Sequence, residues 1–365
     1  MDAQTRLEYP REQEGSHALA LSLSHVTRRF GDTLALNDVS LDVQQGEIIC
    51  LVGHSGCGKT SMLRIIAGID APDSGTLAMQ GQTLAAQSFF VEPEKRNIGV
   101  VFQDYALFPH LTVQENVLFG LRKLRREAAR ERVAELLELV GLSKMAGRYP
   151  HMLSGGEQQR VALIRALAPK PHVLLMDEPF SNLDRSLRAK VRSETVSLLR
   201  QLGTTAIIVT HEAEEALSTG DRVVLMRSGE IVQSGPARVL HDQPVNRYAA
   251  EFFCDFNIIA GKCLGDKVTS TIGEFSAPAT LQGSSDVSIY LRPRDLHIVA
   301  DEKVQDQDLR CLIEARSFLG EMEELVIRAD HLPQALRLRT IEPVDADATH
   351  IVVRLDRQKA LIFQN

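Results

Sequence analysis

Eight consecutive residues, Gly53-His54-Ser55-Gly56-Cys57-Gly58-Lys59-Thr60, fit the pattern G-x-x-x-x-G-K-[ST]. An apolar run at 47–53 (EIICLVG) leads into them, and a helical stretch over Lys59–Ala67 follows, closed by Gly68. Glycines at these places let successive backbone N–H groups converge on phosphate oxygens, and a helix starting there adds partial positive charge. Lys59 is expected to bridge β- and γ-phosphates and Thr60 to place its hydroxyl on Mg²⁺, with Ser61 closing the nucleotide-binding segment. Cys57 reads as a small loop-filler rather than a redox switch.

A second segment, Val173-Leu174-Leu175-Met176-Asp177-Glu178-Pro179, is an apolar strand that ends in two carboxylates. At most strand ends such a pair is merely solvated. Beside a phosphate loop, Asp177 can hold Mg²⁺ and Glu178 can polarise an attacking water as general base. A third segment, Leu153-Ser154-Gly155-Gly156-Glu157-Gln158-Gln159-Arg160, precedes an apolar helix. Ser154 and Glu157 form the S-x-x-E capping box, and the two glycines let a phosphate approach the backbone closely.

These segments need a scaffold. Short β-branched runs at 47–53, 98–102, 173–176, 205–210 and 222–226 alternate with helical stretches, the pattern of strands buried on both faces in an α/β core. Between 102 and 173 the pattern changes to amphipathic helices at 127–140 and 157–168, an expected helical insertion. From about 258 the segments are short and strand-like (SIYLRP, LHIVA, LVIRA, ALRLRT, HIVVRL, ALIFQ), which points to a separate small β-barrel or sandwich. The expected division is a loose N-terminal extension at 1–19, an α/β domain at 20–255 with its helical subdomain at about 104–168, and a β domain at 256–365.

Composition narrows the function classes. The 365 residues carry 41 Lys and Arg against 48 Asp and Glu, a net charge of −7, so a general nucleic-acid binder is not expected. No window approaches the ~20 uninterrupted apolar residues of a transmembrane helix. The polar first residues do not read as a secretory leader. Five cysteines, at 50, 57, 254, 263 and 311, form no C-x-x-C pair, so reduced thiols and a cytosolic setting are expected.

LSGGEQQR, together with the phosphate loop and VLLMDEP, closely resembles the ATP-binding cassette (ABC) ATPases over about residues 21–253. The resemblance implies a P-loop ABC cassette fold and further roles. Phe30 resembles the aromatic residue that stacks on adenine. Gln103 matches the glutamine that contacts Mg²⁺ and the attacking water, and links the nucleotide to a membrane partner. Asp184, in Ser181-Asn182-Leu183-Asp184, belongs to the loop that crosses the dimer interface, with Asn182 where alanine is more usual. His211 resembles the histidine on the γ-phosphate, and Glu157 stands where glutamine is commoner. The implied assembly is a head-to-tail homodimer. Each ATP·Mg²⁺ lies between Lys59, Thr60, Gln103, Asp177, Glu178 and His211 of one chain and Ser154, Gly155 and Gly156 of the other. The dimer is implied to drive integral membrane permease subunits at the cytoplasmic face of the bacterial inner membrane, with a periplasmic substrate-binding protein as an indirect partner.

Among users of these motifs, a DNA-repair or chromosome ATPase needs a long heptad insertion between Lys59 and Ser154, for which 95 residues leave no room. A translation factor usually carries two cassettes and a basic linker. An importer subunit is therefore the expected class. Ser288-Ile289-Tyr290-Leu291-Arg292-Pro293-Arg294-Asp295-Leu296, with Phe318-Leu319-Gly320, resembles the TOBE-type barrel appended to many such subunits. For cargo, the segments around Pro93–Gly99, Phe102–Leu111 and Glu178–Asp184 look closest to ferric-iron importers. Polyamine, sulfate, thiamine and phosphonate importers share most of the same residues.

Overall fold

The computed structural model describes residues 18–121, 124–278, 281, 285–329 and 332–365. Two compact units divide between Val245 and Asn246. The expected extension at 1–19 lies outside the described residues as far as residue 17, and a strand already begins at Leu19.

The first unit opens with strands β1 (Leu19–Phe30), β2 (Thr33–Gln44) and β3 (Ile48–Val52), helix α1 (Lys59–Ala67), and strands β4 (Ser74–Met79), β5 (Gln82–Ala86), β6 (Phe89–Phe90) and β7 (Ile98–Val101). Helices α2 (Val113–Phe119), α3 (Arg126–Leu139) and α4 (Gly155–Leu167) follow. The unit is completed by β8 (Val173–Asp177), α5 (Arg185–Gln201), β9 (Ala206–Thr210), α6 (Ala213–Thr219), β10 (Arg222–Arg227), β11 (Glu230–Gly235) and α7 (Ala237–Asp242).

The sheet that positions the chemistry has the order β11-β10-β3-β9-β8-β7, parallel except for β11. Every residue of β3 and β9 is buried, as expected of strands covered on both faces. The order sets β3, which leads into the phosphate loop, next to β9, and β9 next to β8 with its two carboxylates.

A second, antiparallel sheet, β2-β1-β4-β5-β6, is absent from the expected elements. Its strands share one core with α1 and the parallel sheet, in which Leu21, Leu36 and Leu77 meet Met62, Ile65, Ile66, Leu51 and Val209. The helical insertion has its own core of Val113, Val117, Val133, Leu136, Val161 and Ile164. Helix α2, not singled out from the sequence, is held by a full capping box between Thr112 and Glu115.

The second unit begins with α8 (Arg247–Phe253) and continues through β12 (Asn257–Leu264), β13 (Lys267–Ser270), β14 (Gly273–Ser276), β15 (Ser285–Leu291), β16 (Leu296–Val299), β17 (Leu309–Phe318), β18 (Glu323–Ala329), β19 (Leu336–Thr340), β20 (His350–Leu355) and β21 (Leu361–Gln364). Two five-stranded antiparallel sheets, β14-β13-β12-β15-β21 and β16-β20-β17-β18-β19, enclose one core, a barrel-like arrangement. The sequence-based break at 255/256 leaves α8 with the first domain, whereas the compact unit includes it. Ala250 packs with Phe256 and Tyr290, and the Tyr290 hydroxyl donates to Glu251 at 2.6 Å.

Candidate active site

The loop between β3 and α1 is shaped by its glycines. Gly58 has φ +109°, and a Cβ there would stand 2.4 Å from the Ala35 carbonyl oxygen. Gly53 is equally confined, since a Cβ would meet the Met226 oxygen at 2.4 Å and Cys57 Sγ at 2.7 Å. Any side chain at either place would displace backbone. His54, Ser55 and Gly56 form the exposed turn, and Ser61 is half-buried in the first turn of α1. No side chain caps α1, so its first-turn N–H groups face the loop, where an anion can take them. The buried ammonium of Lys59 arches over the loop, donating to the carbonyls of Gly53 at 2.7 Å and His54 at 3.1 Å. Cys57 is buried in the apolar core, as a loop-filler should be.

At the end of β8, the half-buried Asp177 shares a hydrogen bond with the Thr60 hydroxyl. Burial, then the neighbouring Glu178, push its carboxyl above the usual range, while Lys59 and Thr60 pull it partly back. A carboxylate so disfavoured as a lone anion, beside a hydroxyl, suits a hard divalent cation. Among the described residues no cluster of three or more His, Cys, Asp or Glu side chains is poised for a metal.

Glu178 has φ +44°, in the left-handed region that a non-glycine residue rarely adopts. Its N–H donates to the Val209 carbonyl at 3.0 Å, locking the turn against β9. The side chain thereby reaches His211 just beyond β9, with Oε1 3.1 Å from Nδ1. The chain then passes through 181–184, where Ser181 returns to the Glu178 carbonyl through N–H (3.2 Å) and Oγ (2.9 Å). Asp184 caps α5, accepting from the Leu187 N–H at 3.0 Å and the Ser186 hydroxyl at 2.7 Å, which lowers its carboxyl below the ordinary value.

Gln103 lies exposed just past β7, and its carbonyl accepts from Asn182 Nδ2 at 2.8 Å. Phe30, at the end of β1, is 44% exposed, with the Arg28 guanidinium 4.7 Å over one face. A ring held this way can stack on a planar base. Ser154 and Glu157 make the expected capping box at the head of α4, with Ser154 N–H and Oγ 2.7 and 2.8 Å from Glu157 Oε2. These bonds hold the Glu157 carboxyl below its usual range. Gly155 is exposed and Gly156 buried, with Leu187 and Val191 of α5 too close for a larger residue to fit without repacking.

One chain thus brings Lys59, Thr60, Asp177, Glu178 and His211 to adjoining strand ends. Ser154, Gly155 and Glu157 share no hydrogen bond or ion pair with that group among the described residues. Sequence reasoning missed Arg188, whose guanidinium donates to Glu212, to the Leu183 carbonyl at 3.1 Å and to the Ser181 carbonyl at 3.4 Å. Its signal was an arginine one turn beyond a capped helix start.

A family model described as "ABC transporter" matches residues 36–181. The sulfate/thiosulfate import ATP-binding protein of Chromobacterium violaceum is 42% identical over 315 residues, 86% of this chain and 85% of that protein. The spermidine/putrescine import ATP-binding protein of Methylococcus capsulatus is 41% identical over 331 residues, 88% and 84% of the two chains. Among solved structures, cbiO1 from Clostridium perfringens, part of an ABC transporter complex, covers 60% of this chain and 90% of its own at 28% identity, with a TM-score of 0.56. A dimeric ATP-binding cassette in a post-hydrolysis state, bound to ADP and phosphate, covers 60% of this chain and 99% of its own at 33% identity, with a TM-score of 0.52. With the phosphate loop, paired strand-end carboxylates and capped signature helix in one unit, and with such relatives along most of its length, the chain belongs to the ABC transporter family.

Proposed function

We propose that this chain is the ATP-hydrolysing subunit of a bacterial importer, working as a homodimer against integral membrane permease subunits at the inner membrane. The observation that carries the chemistry is the Glu178–His211 pair, 3.1 Å apart, beside Asp177 and Thr60. Loop N–H groups and Lys59 hold the β- and γ-phosphates, and Phe30 supports the base. Thr60, Asp177 and the Gln103 side chain would hold Mg²⁺, which when bound would supply charge neutralisation on the phosphoryl oxygens. Glu178 takes a proton from the attacking water, and His211 fixes the carboxylate on one side and faces the γ-phosphate on the other. Ser154, Gly155 and Gly156 of a second copy close the site from the opposite side, a C2 arrangement. Closing and reopening of the dimer then moves the permease.

A permease contact has a candidate seat in the first unit. A cleft of about 710 Å³ is lined by Pro93, Asn97, Phe119, Leu121, Leu124 and Ala128, among others, between β7 and the helical insertion. Phe119 touches the Phe108 ring at 4.4 Å, and Phe108 follows closely on Gln103. A cleft that sets Phe119, Leu121 and Leu124 beside Glu94, Glu131, Arg132 and Lys170 suits a short amphipathic partner helix.

The cargo reading shifts from the sequence-based one. Ferric iron finds no support in the relatives named above, which are sulfate/thiosulfate and spermidine/putrescine import proteins. We take sulfate or a polyamine as the cargo class. The test is uptake in membrane vesicles containing the chain and its permease. ATP-dependent accumulation of labelled sulfate or spermidine is expected, and accumulation of iron alone would reverse the choice.

A further inference from the structure

The segment 181–184 is tied to the Glu178, Gln103 and His211 segments, each through a different residue. Ser181 holds the Glu178 carbonyl, Asn182 holds the Gln103 carbonyl, and Leu183 is buried beneath. The third tie is Arg188, in the first turns of α5. One terminal nitrogen reaches back to the carbonyls of Leu183 and Ser181, and the other reaches Glu212, the residue next to His211. Glu212 is itself anchored, because its N–H donates to Thr210 Oγ1 at 3.1 Å and that hydroxyl bonds the buried Glu215 carboxyl at 2.7 Å. A planar guanidinium can serve two directions at once, which an ammonium on a flexible stem cannot.

We propose that Arg188 is a positioning residue: it latches the 181–184 loop to the His211 segment, so that seating the loop against a second copy of the chain fixes His211 on Glu178. The proposal rests on the ATPase reading given above. Arg188 touches neither nucleotide nor the reacting atoms. It acts through Glu212 and through the two carbonyls, and makes the state of the dimer face felt at the histidine. Glu178 is held at both ends of this circuit, at its backbone carbonyl by Ser181 and at its carboxylate by His211.

The test uses the full chain in five forms: wild type, Arg188→Ala, Arg188→Lys, Glu212→Gln and the double variant Arg188→Ala/Glu212→Gln. Displacing a positioned group by about an ångström costs on the order of a hundredfold. Arg188→Ala should therefore lose roughly tenfold to a hundredfold in kcat with little change in KM for ATP and an unchanged thermal midpoint. The cooperativity of hydrolysis in ATP should fall with it. Glu212→Gln should reproduce the loss, the double variant should add nothing to it, and lysine should restore only part. Amide exchange provides a readout independent of turnover: Arg188→Ala should speed exchange at 181–184 and at 211–213 together. Wild-type kcat and cooperativity in Arg188→Ala would overturn the latch. So would additive losses in the double variant, full rescue by lysine, or unchanged exchange at 211–213. A wild-type chain that hydrolyses no ATP would instead sink the proposed function, and the exchange measurement would still decide the latch.

Discussion

Glu178 Oε1 stands 3.1 Å from His211 Nδ1, and Glu178 reaches that contact from a left-handed backbone at φ +44°. The two residues directly follow β8 and β9, parallel neighbours, so the contact is a product of sheet order. Glu178→Gln should keep ATP binding and lose about two to four powers of ten in turnover, the range of a general base. His211→Ala frees the carboxylate and should also lose turnover. Steady-state hydrolysis beside equilibrium binding of labelled ATP checks both, and near-normal hydrolysis by Glu178→Gln would remove it from the role.

The signature residues are expected to act across the dimer. Lys59→Ala and Ser154→Arg chains should each be inactive, while a mixture should recover part of the activity, since a mixed dimer holds one site free of both changes. Loss of the Ser154 cap costs about 1 kcal/mol, too little to unfold the chain. A mixture as silent as its components, with heterodimers shown by co-purification of two differently tagged chains, would place Ser154 on its own chain's nucleotide.

Asp177 gives a pH prediction. Burial, then Glu178, raise its carboxyl above the ordinary 3.8. The folded chain therefore keeps a proton that the unfolded chain has released. The Asp177 contribution to stability without Mg²⁺ should be present at low pH and fall as the pH rises from 3.8 through the raised folded-state value. Asp177→Asn should remove that component, so the wild type loses stability relative to the variant as the pH rises. Thermal midpoints between about pH 4 and pH 7 measure it, and parallel curves for the two proteins would contradict the burial argument.

Leu124 is 50% exposed and lines the cleft beside Phe119. Leu124→Asp should weaken association with the permease and abolish uptake while basal hydrolysis by the free subunit persists. Leu107 is a poorer probe, because it packs against the insertion core. Co-purification with the permease, measured together with uptake, decides the matter: unchanged complex and uptake would empty the cleft of this role.

Contiguous features were legible in the sequence because neighbouring residues determine them. Gly53 to Thr60, the capping box of Ser154 and Glu157, and the apolar runs that make up β3 and most of β8 and β9 each declare a local backbone state within one short window. The antiparallel sheet was less legible. β1 alternates apolar and polar residues, but its partners, β2 and β4, lie on either side of the phosphate loop, and Leu21 pairs with Val43 and with Met79. The same holds for the break ahead of α8: its composition continues the first unit, and tertiary contacts, Ala250 with Phe256 and Tyr290 and Glu251 with the Tyr290 hydroxyl, join it to the second. Within the site, sequence could name Gln103, Glu178 and His211 one by one. That Asn182 grips the Gln103 backbone, that Arg188 reaches Glu212, and that Glu178 meets His211 were decided by tertiary structure. Such contacts join chain segments that touch only after the strands have taken their order, and no local pattern carries that order.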